Sequence, residues 1–159
     1  MRYDTTLHNL NWNRFSDAKS HIERHAKVDE YGHGKMKIMH NTYAEIMPGE
    51  SYLGGSRIGF WTRVRVTLHS TVIYQIVQRH DKGEEFPHSV VTLNSGGYRT
   101  VTTKDRMNRF LPLGYRIVQR NFNWILQVLE TPDGHLIDET RWCDQELFYD
   151  GMQIRLPIA

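Results

Sequence analysis

The 159-residue chain contains little cysteine and no long hydrophobic run. Its one cysteine, Cys143, cannot form a disulfide within the chain, so we expect a reducing compartment. No apolar stretch approaches the roughly 18 residues of a membrane helix, and no apolar signal core follows Met1. These absences argue against a membrane protein and against secretion.

No linker, internal repeat or low-complexity tract divides the sequence either. Its 39% hydrophobic and 24% charged residues are ordinary for a soluble globular protein. We therefore predict a single domain over residues 1–159, with an N-terminal arm (1–14), a helix (15–31) and a β-rich body (35–159). Ser16 is the predicted start of that helix, which runs to about Glu30.

The net charge of +2 conceals an uneven distribution of charge along the chain. Residues 57–120 carry eleven Lys or Arg against four Asp or Glu, whereas residues 121–159 carry two against seven. A basic centre beside an acidic end predicts an anionic partner or two regions that attract each other.

The clearest strand runs from Phe60 to His69, where apolar and polar residues alternate. One set is predicted to face the core: Phe60, Thr62, Val64, Val66 and Leu68. The other set forms a basic and aromatic ladder: Trp61, Arg63, Arg65, Thr67 and His69. Alternation of this kind is typical of a sheet with one buried and one solvated face.

The remaining patterns predict seven or eight short strands and two helices. Residues 35–47 read as one strand, Pro48-Gly49 opens a loop, and Tyr115 to Leu129 reads as a hairpin across Arg120-Asn121. Phe122, Trp124, Leu126 and Val128 are expected on one face of that hairpin. Because the strands are closely spaced, we predict an α+β fold with a curled, mostly antiparallel sheet or a partly open small β-barrel with two helices.

The stretch from Leu93 to Phe110, called the glycine-turn segment below, is predicted to be a strand, a Gly96-Gly97 turn, a short strand and a helix. Thr102 or Thr103 is the expected N-cap, with Asp105 in the first turn. The spacing of Met107, Phe110 and Leu111 predicts one apolar face for this helix. Free helix N–H groups and the nearby cations Arg99, Lys104, Arg106 and Arg109 are a combination that binds phosphate. The alternative is a hairpin turn followed by a well-capped surface helix.

Four local patterns resemble those of a group of small bacteriophage-encoded proteins. They are Leu68-His69-Ser70-Thr71, residues 93–108 (LNSGGYRTVTTKDRMN), His40-Asn41-Thr42-Tyr43 and residues 115–120 (YRIVQR). The resemblance covers roughly residues 38–129 and brings no catalytic residues with it. It implies a phage protein that acts in the cytoplasm of a bacterial host or in a virion.

The first functional hypothesis is a phage accessory protein that binds nucleic acid, because cations bind phosphates and aromatic rings stack on exposed bases. The residues assigned to this role are Trp61, Arg63, Arg65, His69, Arg99, Thr102, Thr103, Lys104, Arg106 and Arg109. No recognised nucleic-acid-binding motif is present in the sequence.

Two other hypotheses stay open. The triplets His40-Asn41-Thr42 and His69-Ser70-Thr71 match the H-x-T motifs of two-histidine phosphoesterases, which makes His40, Thr42, His69 and Thr71 weak catalytic candidates. The third hypothesis is a protein-binding role toward a host or phage protein, or toward a second copy of the chain, because four Trp and eight Tyr offer interface anchors. No cofactor is predicted. No metal site is predicted either, because the pair His21 and His25 lacks a third ligand in a known motif.

Overall fold

The computed structural model of the chain describes Trp12 and residues 15–84, 87–130 and 141–156. These residues form two helices and nine strands. In chain order they are α1 (Phe15–His25), β1 (Gly34–Met39), β2 (Thr42–Leu53), β3 (Ser56–Leu68), β4 (Thr71–Asp81), β5 (His88–Leu93), α2 (Val101–Phe110), β6 (Tyr115–Arg120), β7 (Asn123–Glu130), β8 (Arg141–Leu147) and β9 (Met152–Leu156).

The strands form two antiparallel sheets. A six-stranded sheet has the order β1-β2-β3-β4-β5-β9, and a three-stranded sheet has the order β6-β7-β8. Every pairing in the described residues is antiparallel. The α+β prediction with a curled antiparallel sheet and two helices is therefore confirmed, and neither sheet closes into a barrel.

The core lies on one face of the six-stranded sheet, where both helices pack. Helix α1 buries Phe15, Ala18 and Ile22, whose spacing places them on one helical face. Helix α2 buries Met107 and Phe110, as the sequence predicted. The same core cluster continues into the three-stranded sheet through Ile117, Trp124 and Leu126.

Strand β3 has the predicted phase over its second half. Val64, Val66 and Leu68 are buried, so Arg63 and Arg65 point to the opposite face. The prediction that Phe60 lies in the core is wrong, because its side chain is 50% exposed. Its cross-strand neighbours Glu50 and His80 are also exposed, and neither described helix covers this end of the sheet. The Arg57 guanidinium lies 4.2 Å from the Phe60 ring centre instead.

Two predictions for the first helix are wrong. Helix α1 begins at Phe15, not after a Ser16 cap, and it ends at His25, not near Glu30. After it, the Asp29 carboxylate accepts hydrogen bonds from the N–H groups of Tyr31 and His33, which favours a turn.

The single strand predicted over residues 35–47 is two strands joined at His40 and Asn41. Asn41 has a φ of 52°, and a two-residue turn leaves the alternation in phase on both sides. The alternating pattern therefore predicted one strand across the turn. Pro48 and Gly49, predicted to open a loop, lie inside β2.

The hairpin of the second sheet turns one residue later than predicted. Its turn residues are Asn121 and Phe122, with φ angles of 51° and 66°. Phe122 does not share the buried face of Trp124 and Leu126, because its side chain is 94% exposed. Most of the predicted arm lies outside the described residues; within that arm, Trp12 is described and belongs to the core.

Candidate nucleic-acid interface

The face of the six-stranded sheet opposite the helices, called the open sheet face here, contains no buried side chain among its described residues. The register places these residues on it: Lys35, Lys37, Tyr43, Glu45, Met47, Gly49, Ser51, Gly59, Trp61, Arg63, Arg65, Thr67, Val72, Gln75, Val77, Arg79, Asp81, His88, Val90, Thr92, Gln153 and Arg155. It is broad because all six strands contribute to it.

The open sheet face is strongly basic. Its cations are Lys35, Lys37, Arg63, Arg65, Arg79 and Arg155, and its carboxylates are Glu45 and Asp81, so the formal excess is four positive charges. One further carboxylate, Glu84, lies at the rim beyond Arg79. The sequence identified only the two cations of this face that lie on β3, because the others become neighbours through strand pairing.

Trp61 has a specific position on this face. It pairs with Gly49 of β2, and its six-membered ring covers that glycine so closely that a Cβ at position 49 would lie 2.0 Å from Trp61 Cζ2. A side chain at position 49 would displace the ring. Gly49 therefore forms a seat that lets the indole lie along the sheet surface.

The neighbouring cations differ in how firmly they are held. Arg65 forms an ion pair with Glu45. Arg63 donates to Met47 Sδ at 3.8 Å, and its Cζ lies 5.6 Å from the centre of the Trp61 indole, at the outer limit of a cation–π contact. Burial and the charge of Arg65 lower the pKa of Arg63 from its ordinary value, and Glu45 opposes that shift.

The glycine-turn segment lies on the other side of the sheet, where α2 joins the core. The residues predicted as its short second strand form no strand, and the N-cap of α2 is Thr100, not Thr102 or Thr103. Thr100 Oγ1 accepts a hydrogen bond from the Thr103 N–H at 3.1 Å. The predicted cap positions are wrong because the helix begins at Val101, which also moves Asp105 out of the first turn.

Three of the four cations of the glycine-turn segment already have partners inside the protein. Asp105 Oδ2 accepts from Arg106 Nη1 at 3.1 Å and from Arg109 Nε at 3.0 Å. The Arg99 guanidinium lies 4.6 Å from the Phe148 ring centre and 5.3 Å from that of Trp124. Lys104 is half-buried. Thr102 is exposed, whereas Thr103 is buried.

Hydrogen bonds around Ser95 join the glycine turn to the connection between β8 and β9. The Ser95 N–H and Oγ–H both donate to Asp150 Oδ1 at 2.7 Å, and Arg99 Nε donates to Ser95 Oγ at 3.2 Å. Burial favours the protonated carboxyl, but the bonds from Ser95 and the charge of Arg99 outweigh it and lower the pKa of Asp150. Ser95 is 1% exposed, so these bonds are structural.

The residues assigned to nucleic-acid binding therefore do not form one surface. Trp61, Arg63 and Arg65 lie on the open sheet face, and His69 lies in the β3–β4 turn at one end of the sheet. The others, Arg99, Thr102, Thr103, Lys104, Arg106 and Arg109, belong to the glycine-turn segment. A single extended ligand on the open sheet face would contact the first group only.

Two of the four sequence patterns that carried the phage resemblance, residues 68–71 and 93–108, meet at a cleft of about 420 Å³. Its lining includes His69, Ser70 and Thr71 from the β3–β4 turn and the start of α2 with Thr102 and Thr103. A Cβ on Gly96, which has a φ of 62°, would lie 2.7 Å from Thr71 Cγ2. This close approach explains why a glycine stands at position 96 and a small residue at 71.

The H-x-T pair is not assembled around this cleft. In each triplet the first two residues lie in a turn and the threonine begins the next strand, β2 or β4, and the backbones meet where the His69 N–H donates to the Asn41 carbonyl at 2.7 Å. Only His69 and Thr71 line the cleft; His40 and Thr42 do not. Thr42 is fully buried, and its hydroxyl donates to the His40 carbonyl at 2.9 Å. The geometry therefore gives no support to the two-histidine phosphoesterase hypothesis.

One group of side chains that the sequence did not identify has the composition of a metal site. Asp81, Glu84 and His88 each place a ligand atom within 4.8 Å of the other two, at the rim of the open sheet face. Glu84 Oε2 also accepts from the Asp81 N–H and contacts His88 Nδ1, both at 3.2 Å. The bond from Asp81 lowers the pKa of Glu84, and His88 contributes to that shift. These contacts hold the β4–β5 turn together.

Comparisons with known proteins place the chain among viral proteins. The family model described as Kyanoviridae Gp96 protein matches residues 35–155, which include every strand of both sheets except the first residue of β1 and the final residue of β9. No curated protein and no solved structure matches the chain. No helix in the described ranges is long and apolar enough to cross a membrane.

Proposed function

Because the chain belongs to the Kyanoviridae Gp96 protein family, a family of phage proteins, we propose that it is a phage accessory protein that binds nucleic acid on the open sheet face. The observation that supports the proposal is the excess of four positive charges on a six-stranded surface that no described element covers. Nucleic-acid affinity depends mainly on the number of phosphates that cations neutralise.

The face is also suited to hold a polyanion rather than a small anion. Its cations lie on β1, β3, β4 and β9, so they are distributed across the sheet and do not converge on one point. Arg79 and Arg155 are exposed, and Lys35 is exposed at the opposite edge. A chain of phosphates could contact them in sequence, whereas a single phosphate could contact one or two.

The experiment compares two triple variants that remove the same net charge. Lys35→Gln/Arg79→Gln/Arg155→Gln changes the open sheet face, and Lys19→Gln/Arg24→Gln/Arg141→Gln changes α1 and β8. Binding of a fluorescein-labelled DNA oligonucleotide is followed by anisotropy at several salt concentrations. The first variant should bind about tenfold more weakly, and its slope of log K against log salt should be smaller by about 2.

The control triple should bind with the wild-type salt slope, because its cations lie elsewhere. Equal loss in both triples would show that net charge, and not this face, determines binding. No binding by the wild-type protein at low ionic strength would refute the proposal.

A second candidate function, binding of a host or phage protein, is favoured by the outer side of the three-stranded sheet. Phe122 is 94% exposed at its hairpin tip, and Leu147 on β8 is 63% exposed. Exposed apolar side chains of this size are common at protein interfaces. A partner that remains bound after nuclease treatment, and that Phe122→Ser releases, would favour this function over the first.

A further inference from the structure

We infer that the open sheet face selects single-stranded over double-stranded nucleic acid, with Trp61 as a platform on which an unpaired base stacks. This inference rests on the proposed function and specifies its ligand. Its basis is the seat that Gly49 provides for the Trp61 indole and the position of cations beside the aromatic rings of this face.

The first step concerns the orientation of the ring. Three atoms of the Trp61 six-membered ring lie within 2.5 Å of where a Gly49 Cβ would be, so one side of the ring rests on the β2 backbone. No described element covers this face of the sheet, so the other side of the ring is open to contact. A flat, supported aromatic ring is what base stacking requires.

The second step concerns the phosphates that accompany a stacked base. Arg63 lies two residues from Trp61 on β3, and Arg79 is its cross-strand partner on β4. Arg79 Nη2 donates to Ser51 Oγ at 3.3 Å, which orients the guanidinium toward β2 on the side where Trp61 lies. Cations therefore flank the ring on two sides, where the backbone of a bound strand would run.

The third step concerns a second aromatic ring on this face that also has a cation beside it. Tyr43 is 37% exposed on the same face, and Lys35 Nζ lies 5.3 Å from the centre of its ring. Tyr43 pairs with Thr67, six positions along β3 from Trp61, which corresponds to about 20 Å. One single strand of several nucleotides could contact both rings, as on other β platforms that bind single strands.

A duplex could not use these rings, because its base faces are stacked inside the helix. It would contact only the cations, which bind phosphates of either form. The structure therefore separates two contributions: the cations provide binding to any nucleic acid, and Trp61 provides the preference for single strands.

The test uses fluorescein-labelled oligothymidylate of about 20 nucleotides and a duplex of the same length, with wild-type protein, Trp61→Leu and Trp61→Phe. Trp61→Leu should weaken single-strand binding about tenfold and leave the salt slope and the duplex affinity unchanged, because stacking involves no counterion release. Trp61→Phe should retain most of the wild-type affinity for the single strand, because phenylalanine keeps an aromatic ring at this position. Melting curves confirm that each variant is folded.

Gly49→Ala gives a second route to the same result, because the new methyl group would displace the indole without removing it. It should reduce single-strand binding in the same direction as Trp61→Leu. If the wild-type protein binds both forms equally and neither variant changes either affinity, this inference is wrong while the proposed function stands. If the lysine and arginine triple variant also binds like wild type, the proposed function is wrong as well.

Discussion

The open sheet face and the glycine-turn segment both looked basic in the sequence, yet the fold uses their cations differently. In the glycine-turn segment Arg106 and Arg109 pair with Asp105, and Arg99 lies against Trp124 and Phe148. On the open sheet face two carboxylates, Glu45 and Asp81, accompany six cations. Charge counted along a chain therefore does not measure the charge that a folded surface can offer a ligand.

The difference has a physical cause. The cations of the glycine-turn segment lie within or next to one helix, so an acidic residue at i+4 spacing and aromatic rings of the adjacent sheet can reach them. The cations of the open sheet face come from four strands and lie beside other cations. The first set should contribute mainly to stability, and the second set mainly to binding.

The largest expected effect is at the contact that anchors the glycine turn. Asp150→Ala removes the acceptor for the buried Ser95 N–H and hydroxyl. Leaving two such donors without a partner should lower the free energy of unfolding by about 3 kcal/mol. Urea denaturation measures the change, and nucleic-acid affinity of the folded protein should not move. Arg155→Ala, on the open sheet face, is the control and should change stability by less than about 0.5 kcal/mol.

The same contact predicts a pH dependence. The pKa of Asp150 is lower in the folded protein than the ordinary value of about 3.9, so its ionised form stabilises the fold. That stability is fully present above the unfolded pKa and is lost as the pH falls through the folded pKa. Wild type should therefore lose stability relative to Asp150→Asn when the pH is lowered from 5 toward about 2. A constant difference over that range would contradict the role of the carboxylate.

The sequence predicted the parts of the fold that depend on local pattern. Alternation gave the phase of β3 at Val64, Val66 and Leu68, and helical spacing gave the buried side of α2 at Met107 and Phe110. The sequence pattern gave a wrong prediction at Asn41, because the turn there preserves the alternation of the two strands. It was also wrong at Phe60, because β3 extends beyond the part of the sheet that the helices cover.

The candidate site could be predicted only in part because it is made by strand pairing. Arg63 and Arg65 were visible on one strand, but Lys35, Arg79 and Arg155 join them only through the register of the sheet. The sequence did not show that Gly49 supports the Trp61 ring, because Pro48-Gly49 predicted a loop and not part of β2. The sequence assigned Arg99 to a phosphate site. It could not show that Arg99 contacts the rings of Trp124 and Phe148, because both come from distant parts of the chain.

A smaller effect is expected where the glycine turn meets the β3–β4 turn. Gly96→Ala places a methyl group at a φ of 62° and against Thr71, whereas Gly97→Ala has a similar φ of 83° with nothing within 4 Å. Gly97→Ala should cost about 1 kcal/mol of unfolding free energy and Gly96→Ala about 2 kcal/mol. The double variant Gly96→Ala/Thr71→Ala should lose less than the sum of the two single changes. Equal costs at positions 96 and 97 would show that the contact with Thr71 is unimportant.

The smallest expected change is also the most direct test of the comparison, because it makes the same substitution once in each region. Arg99→Gln removes the contacts with two rings and the bond to Ser95, and should lower the free energy of unfolding by about 1 kcal/mol. Arg79→Gln removes an exposed guanidinium that donates one weak bond to Ser51, and should leave stability within about 0.5 kcal/mol. Affinity for the labelled oligonucleotide should fall more for Arg79→Gln than for Arg99→Gln. Arg79 lies on the face proposed to bind the ligand, whereas the Arg99 guanidinium contacts other side chains of the protein. Thermal melts and anisotropy titrations on the two variants give all four values. If Arg99→Gln reduces affinity while Arg79→Gln does not, the glycine-turn segment is the binding region and the division between the two sets of cations is wrong.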